Sequence, residues 1–115
     1  MNNAQFDEFG HDPSIRRLRR VFSRMETVSK ELIKSSGISP FDPRLRRWRE
    51  AARELFERGW AKAAQRNLSL TEDEAGILYG FALQRLMMRD GIPPENLVLS
   101  GRQDARILEI SELVP

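Results

Sequence analysis

Apolar residues recur at helical spacing in the first two-thirds of the chain. Over residues 13–36 they form a stripe with Val21 and Val28 beside it, made of Ile15, Leu18, Phe22, Met25, Leu32 and Ile33. Over residues 43–66 a second stripe consists of Leu45, Trp48, Ala52, Leu55, Phe56, Gly59, Trp60 and Ala63. Spacings of three and four residues put side chains on one face of a helix, so both stretches predict amphipathic helices.

A third stretch, residues 72–90, is apolar around almost its whole circumference. A helix of this kind is buried, so we expect it to be the central helix of the fold. Two neighbouring helices cannot easily cover every side of it, which calls for cover by the C-terminal segment or by a second copy of the chain. The candidate interface on this helix is formed by Gly76, Tyr79, Gly80, Leu83 and Met87.

Capping residues bound the three predicted helices. Asp12 and Asp42 each precede a proline, a pattern typical of helix starts. Thr71 and Glu74 fit a capping box, and the acids of that first turn suit the positive end of the helix dipole. The predicted helix ends are marked by Gly37 and Gly91.

The C-terminal segment, residues 97–113, allows two interpretations. A β-hairpin around Gly101 would turn Leu108 and Ile110 inward, and a short helix capped by Asp104 is the alternative. We favour the hairpin. The predicted fold is therefore mainly α, with three principal helices and this short closing element.

Length and composition indicate one helical domain, residues 13–115, preceded by a flexible acidic tail, residues 1–12. No apolar run is long enough for a membrane span, and the N-terminus lacks the features of a secretory signal. There is no cysteine, and His11 is the single histidine, so we expect no metal site, no cofactor and a cytoplasmic location.

Charge is strongly segregated along the sequence. Residues 13–66 carry fifteen bases and six acids, whereas residues 67–115 carry four bases and eight acids. Many arginines of the second helix have acids at i,i+4 spacing, as in Arg46 with Glu50, Arg53 with Glu57, and Glu54 with Arg58. We interpret that face as solvated and internally paired.

The first half of the first helix lacks such compensation, because no acid occurs between Asp12 and Glu26. We call its five arginines the arginine ridge: Arg16, Arg17, Arg19, Arg20 and Arg24. Bases near a helix N-terminus oppose the helix dipole, so a negative counterpart is expected. Three candidates are the phosphates of a nucleic acid, an acidic partner protein, and the chain's own Asp7, Glu8 and Asp12.

Catalytic motifs are not apparent: the sequence has no phosphate-binding glycine loop, no nucleophile elbow and no identifiable small-molecule site. The sequence predicts a non-catalytic protein-interaction or assembly module, in which the apolar third helix contacts a protein partner or a second copy and the arginine ridge accepts an acidic partner. Sequence-independent nucleic-acid binding through the same ridge is the alternative.

Overall fold

Four α-helices and one 3₁₀ turn form the described part of the chain, which in this computed structural model comprises residues 13–99 and 105–114. The helices are α1 (Pro13–Ser36), α2 (Arg44–Gln65), α3 (Glu72–Arg89) and α4 (Ala105–Ser111), and the 3₁₀ turn is Pro94–Asn96. Within these ranges there is no strand, so the prediction of a mainly α fold with three principal helices is confirmed. The predicted tail, the Asp12 and Asp104 caps and the Gly101 turn lie outside the described residues.

Local chemistry explains where the helices begin and end. The Thr71 hydroxyl accepts the Glu74 backbone N–H, and the Glu74 carboxylate accepts the Thr71 N–H, which completes the predicted capping box. The Asp42 carboxylate accepts the backbone N–H of Arg44 at 2.8 Å, at the start of α2. At the C-terminal ends of α1 and α3, Gly37 and Gly91 have φ values of 77° and 98°, which favour glycine.

α3 is the centre of the fold, as predicted. It packs against α1, α2 and α4, while α1 and α2 lie on either side of it. Leu78, Leu83 and Met87 are fully shielded from solvent on α3. Cover for α3 thus comes largely from within the chain, and the C-terminal segment supplies part of it.

Two glycines of α3 set its distance from α1. A Cβ atom added at Gly76 would lie 3.0 Å from the Arg24 Cβ, and one added at Gly80 would lie 2.6 Å from the Val28 Cγ1. The second contact is shorter than carbon atoms tolerate. Because Gly80 has no side chain, the two helices can approach this closely.

The favoured β-hairpin is wrong, and the alternative helix is present as α4. Ile110 and Leu113 are fully buried, whereas Leu108 is 66% exposed although the hairpin would have turned it inward. Within α4, Ile107 packs against the core and Ile110 is buried, with the exposed Leu108 between them, a spacing of three that a helix satisfies and an alternating strand does not. The ion pair of Arg106 with Glu74 of α3 also favours the helix.

α4 is held against α3 by an ion pair between Arg106 and Glu74. The Arg106 Nε donates to the Glu74 Oε2 at 2.7 Å, and the Glu74 side chain is nearly buried. The guanidinium of Arg106 holds the pKa of Glu74 below its ordinary value, and the Thr71 N–H adds to this effect. Glu74 therefore joins the start of α3 to the C-terminal helix.

A second polar cluster joins the start of α2 to the end of α3. The indole Nε1 of Trp48 donates to the Asp90 Oδ2 at 2.7 Å, and Arg47 donates to the same oxygen at 2.6 Å. The indole hydrogen bond, reinforced by Arg47, lowers the pKa of Asp90. The buried Trp48 thus has its single donor satisfied.

We expect Gly80→Ala to destabilise the fold, because its new methyl group would collide with Val28 and with Leu99 Cδ2 at 2.9 Å. Overpacking of this kind costs about 1–3 kcal/mol, against a gain of about 1 kcal/mol in helix propensity. Urea unfolding measures the difference. Gly76→Ala is the matched control, with a smaller loss, and a Gly80→Ala variant as stable as the parent would contradict the close packing.

Arg106→Ala should lower the free energy of unfolding at pH 7 by about 2 kcal/mol, since it leaves a nearly buried carboxylate without its main partner. Because folding lowers the pKa of Glu74, the stabilisation is present above its ordinary value of 4.5 and is lost as pH falls through the lower folded value. Urea unfolding between pH 7 and pH 3 should therefore show a shallower pH dependence for this variant. Arg58→Ala, on the exposed face of α2, should retain the parent profile.

Candidate functional site

The arginine ridge lies on the exposed side of the first half of α1. Three of its members also make polar contacts with residues in or just before the first turn of α3. The Nη2 of Arg17 donates to the backbone carbonyl of Leu70 at 2.8 Å. Arg16 and Arg19 are also exposed.

Arg20 and Arg24 form ion pairs with acids that follow about fifty residues later in the sequence. The Arg20 Nε lies 2.7 Å from the Glu72 Oε2, and the Arg24 Nε lies 2.8 Å from the Asp73 Oδ1. None of the three candidates for a negative counterpart included these acids. The first turn of α3 thus supplies part of the compensating charge within the chain.

Sequence reasoning assigned the first-turn acids of α3 to its helix dipole and missed their second role. Both effects act together, because the packing of α1 on α3 brings the two N-terminal ends side by side. Residues 13–66 carry a net positive charge and residues 67–115 a net negative charge, and this difference was a signal for the pairing. Exposed ion pairs contribute only about 0.2–1 kcal/mol each, so a competing carboxylate could displace them.

The predicted interface on α3 makes its contacts within the chain. Leu83 and Met87 are fully buried, while Gly76 and Gly80 lie against α1. Tyr79 is nearly buried, but it contributes to the floor of an open groove. The accessible part of this predicted surface is therefore confined to the groove.

This groove lies between α1 and α2, above α3. We define it by Leu18, Phe22 and Met25 of α1, Arg53 and Trp60 of α2, and Tyr79 of α3. Leu18 and Phe22 are 54% and 38% exposed, although the sequence pattern placed both on the buried stripe of the first helix. That assignment is corrected: the buried side of α1 is centred on Val21, Met25, Val28 and Leu32.

Arginine side chains cross the groove between its two walls. The guanidinium of Arg53 lies 4.6 Å from the centre of the Phe22 ring, and that of Arg17 lies 6.0 Å from the Trp60 ring. The Arg49 Nε donates to the hydroxyl of the buried Ser29 at 3.2 Å. The groove thus combines apolar and aromatic surface with arginines, and Glu26, Glu50 and Glu57 also line it.

Tyr79 sits beneath two of these arginines. Burial raises the pKa of its phenol above the ordinary value, while the nearby charges of Arg49 and Arg53 oppose that increase. The phenol is therefore neutral at pH 7 and does not offset the arginines. A ligand with carboxylates could do so.

No protein-family model matches the sequence, and comparison with curated proteins and with solved structures finds no match either. None of the helices in the described ranges is long and apolar enough to cross a membrane. Among the same residues, no group of three acidic or histidine side chains is arranged to hold a metal ion.

The pairing of Arg20 with Glu72 should be weak and sensitive to salt. A double-mutant cycle with Arg20→Ala and Glu72→Ala should give a coupling energy of about 0.2–1 kcal/mol, reduced in 0.5 M sodium chloride as the charges are screened. Urea unfolding of the four chains measures it. Arg19→Ala with Glu72→Ala is the matched control, and an equal coupling there would contradict a specific pair.

Proposed function

We propose that this protein is a non-catalytic protein-interaction module whose groove binds an acidic segment of a partner protein. The observation that carries the proposal is the exposure of Leu18 and Phe22 beside Arg53 in an open groove. Apolar side chains of the partner would cover Leu18 and Phe22, and its carboxylates would face the arginines.

The apolar surface of Leu18 and Phe22 supports a binding role, because its exposure lowers solubility and these side chains are not part of the core. Leu18 and Phe22 are one helical turn apart, so they present a continuous patch next to Trp60. Aromatic and arginine side chains are also the residue types enriched at the centres of protein interfaces. The same two types line this groove.

Charge favours an acidic partner over a neutral one. Arg17 and Arg53 lie at the end of the groove near the start of α1, where Glu57 is the acid among the lining residues. Glu57 is 3.7 Å from Arg53, an exposed pair that a stronger carboxylate ligand could replace. The exposed ridge arginines nearby add to the positive potential and would steer an acidic segment toward the groove.

Sequence-independent nucleic-acid binding would use the same arginines and is the competing proposal. Glu72 and Asp73 weaken it, because phosphates approaching Arg20 and Arg24 would meet these carboxylates. We therefore prefer the protein partner. The two proposals differ in their response to nuclease and to salt.

Retention of partner proteins from a nuclease-treated extract of the source organism tests the proposal. We expect immobilised parent protein to retain a defined set of proteins, and Leu18→Glu to lose that set because its carboxylate repels an acidic ligand. The matched control is Leu108→Glu, at a similarly exposed leucine on α4, which should retain the set.

Circular dichroism should show equal helicity in all three chains. Equal retention by Leu18→Glu and the parent would contradict the groove as the binding surface. Binding of labelled DNA or RNA at low salt, lost at moderate salt, would favour the competing proposal instead.

A further inference from the structure

We infer that the chain's own N-terminal segment, residues 1–12, occupies the groove in the absence of a partner and competes with it. This inference rests on the proposed function, since it concerns the same groove. The segment lies outside the described residues. Three observations support the inference: the chemistry of the segment, the distance that it can reach, and the charge at the nearest end of the groove.

The chemistry of the segment matches that proposed for the partner. Its sequence contains Phe6, Asp7, Glu8 and Phe9 in succession, with Asp12 following and no lysine or arginine in the twelve residues. Two aromatic rings would cover the exposed apolar patch, and the two acids between them would face arginines. The segment thus carries apolar groups to cover the exposed patch and carboxylates to face the arginines of the groove.

The covalent connection allows this placement. Leu18 and Phe22 lie five and nine residues beyond the start of α1, about 7 Å and about 13 Å along its axis. Phe9 precedes Pro13 by four residues, and Phe6 precedes it by seven. Fully extended chain of these lengths spans up to about 14 Å and about 25 Å. A reversal of chain direction between Phe9 and Pro13 would bring Phe9 to Leu18 and Phe6 to Phe22. Gly10 supplies the backbone freedom for it.

The groove end nearest to Pro13 is also the end with the matching charge. Arg17 lies there on α1, and Arg53 faces it from α2, with Phe22 and Trp60 between them. Tethering raises the effective concentration of the segment to about the millimolar range, so weak contacts suffice for occupancy. A foreign partner would have to displace it.

Paramagnetic relaxation enhancement in the full chain tests the inference, because the absence of native cysteines permits a single labelling site. With a nitroxide on Asn3→Cys, we expect the amide signals of Leu18 and Phe22 and the Trp60 indole signal to lose about half their intensity or more. Adding Phe6→Ala and Phe9→Ala should restore them. Phe41→Ala, a control phenylalanine that is 90% exposed in the loop after α1, should not.

Groove signals that keep their intensity in the labelled chain would overturn the inference. A second test mixes isotopically enriched chain that carries no nitroxide with nitroxide-labelled chain that is not enriched. If the enriched chain loses the same groove signals, the segment of a second copy is the occupant and the inference is overturned. If the inference fails while Leu18→Glu still abolishes partner retention, the proposed function stands alone. If both hold, Phe6→Ala with Phe9→Ala should increase the amount of partner retained.

Discussion

The rest of the structure depends on the burial of α3. This helix has apolar side chains on nearly all sides, so other parts of the chain must cover it in every direction. α1 and α2 flank it, α4 covers a further side, and Leu97 and Leu99 also pack in or against the core. Gly76 and Gly80 let α1 approach closely enough to exclude water. The positions of all other elements follow from this requirement.

Covering α3 also produces the groove. α1 and α2 pack on α3 rather than extensively on each other, so a gap remains between them with Tyr79 at its floor. Arginines span part of this gap by lying over aromatic rings on the opposite wall. Leu18 and Phe22 remain exposed there, beside Arg53 and Trp60 of α2. The proposed binding surface is thus a consequence of the packing.

The two ends of α3 are fixed by polar contacts of different character. Glu74 acts in its own capping box and also binds Arg106, so one carboxylate both starts α3 and attaches α4. Asp90, directly after α3, accepts from Trp48 and Arg47 and attaches the start of α2. At the start of α3, the exposed ion pairs of Arg20 with Glu72 and of Arg24 with Asp73 add little energy to these contacts.

Local sequence signals predicted the three principal helices, their caps and the central place of α3, because capping and apolar periodicity act within a few residues. Long-range contacts decided the rest. Whether residues 105–111 became a strand or a helix depended on Glu74 and on the apolar surface of α3 that they cover. Likewise, Leu18 and Phe22 belong to the apolar periodicity of α1, but the packing of α1 on α3 determined which part of that stripe is buried. The pairing of the ridge with Glu72 and Asp73 required the folded chain, because only packing brings residues so distant in sequence into contact.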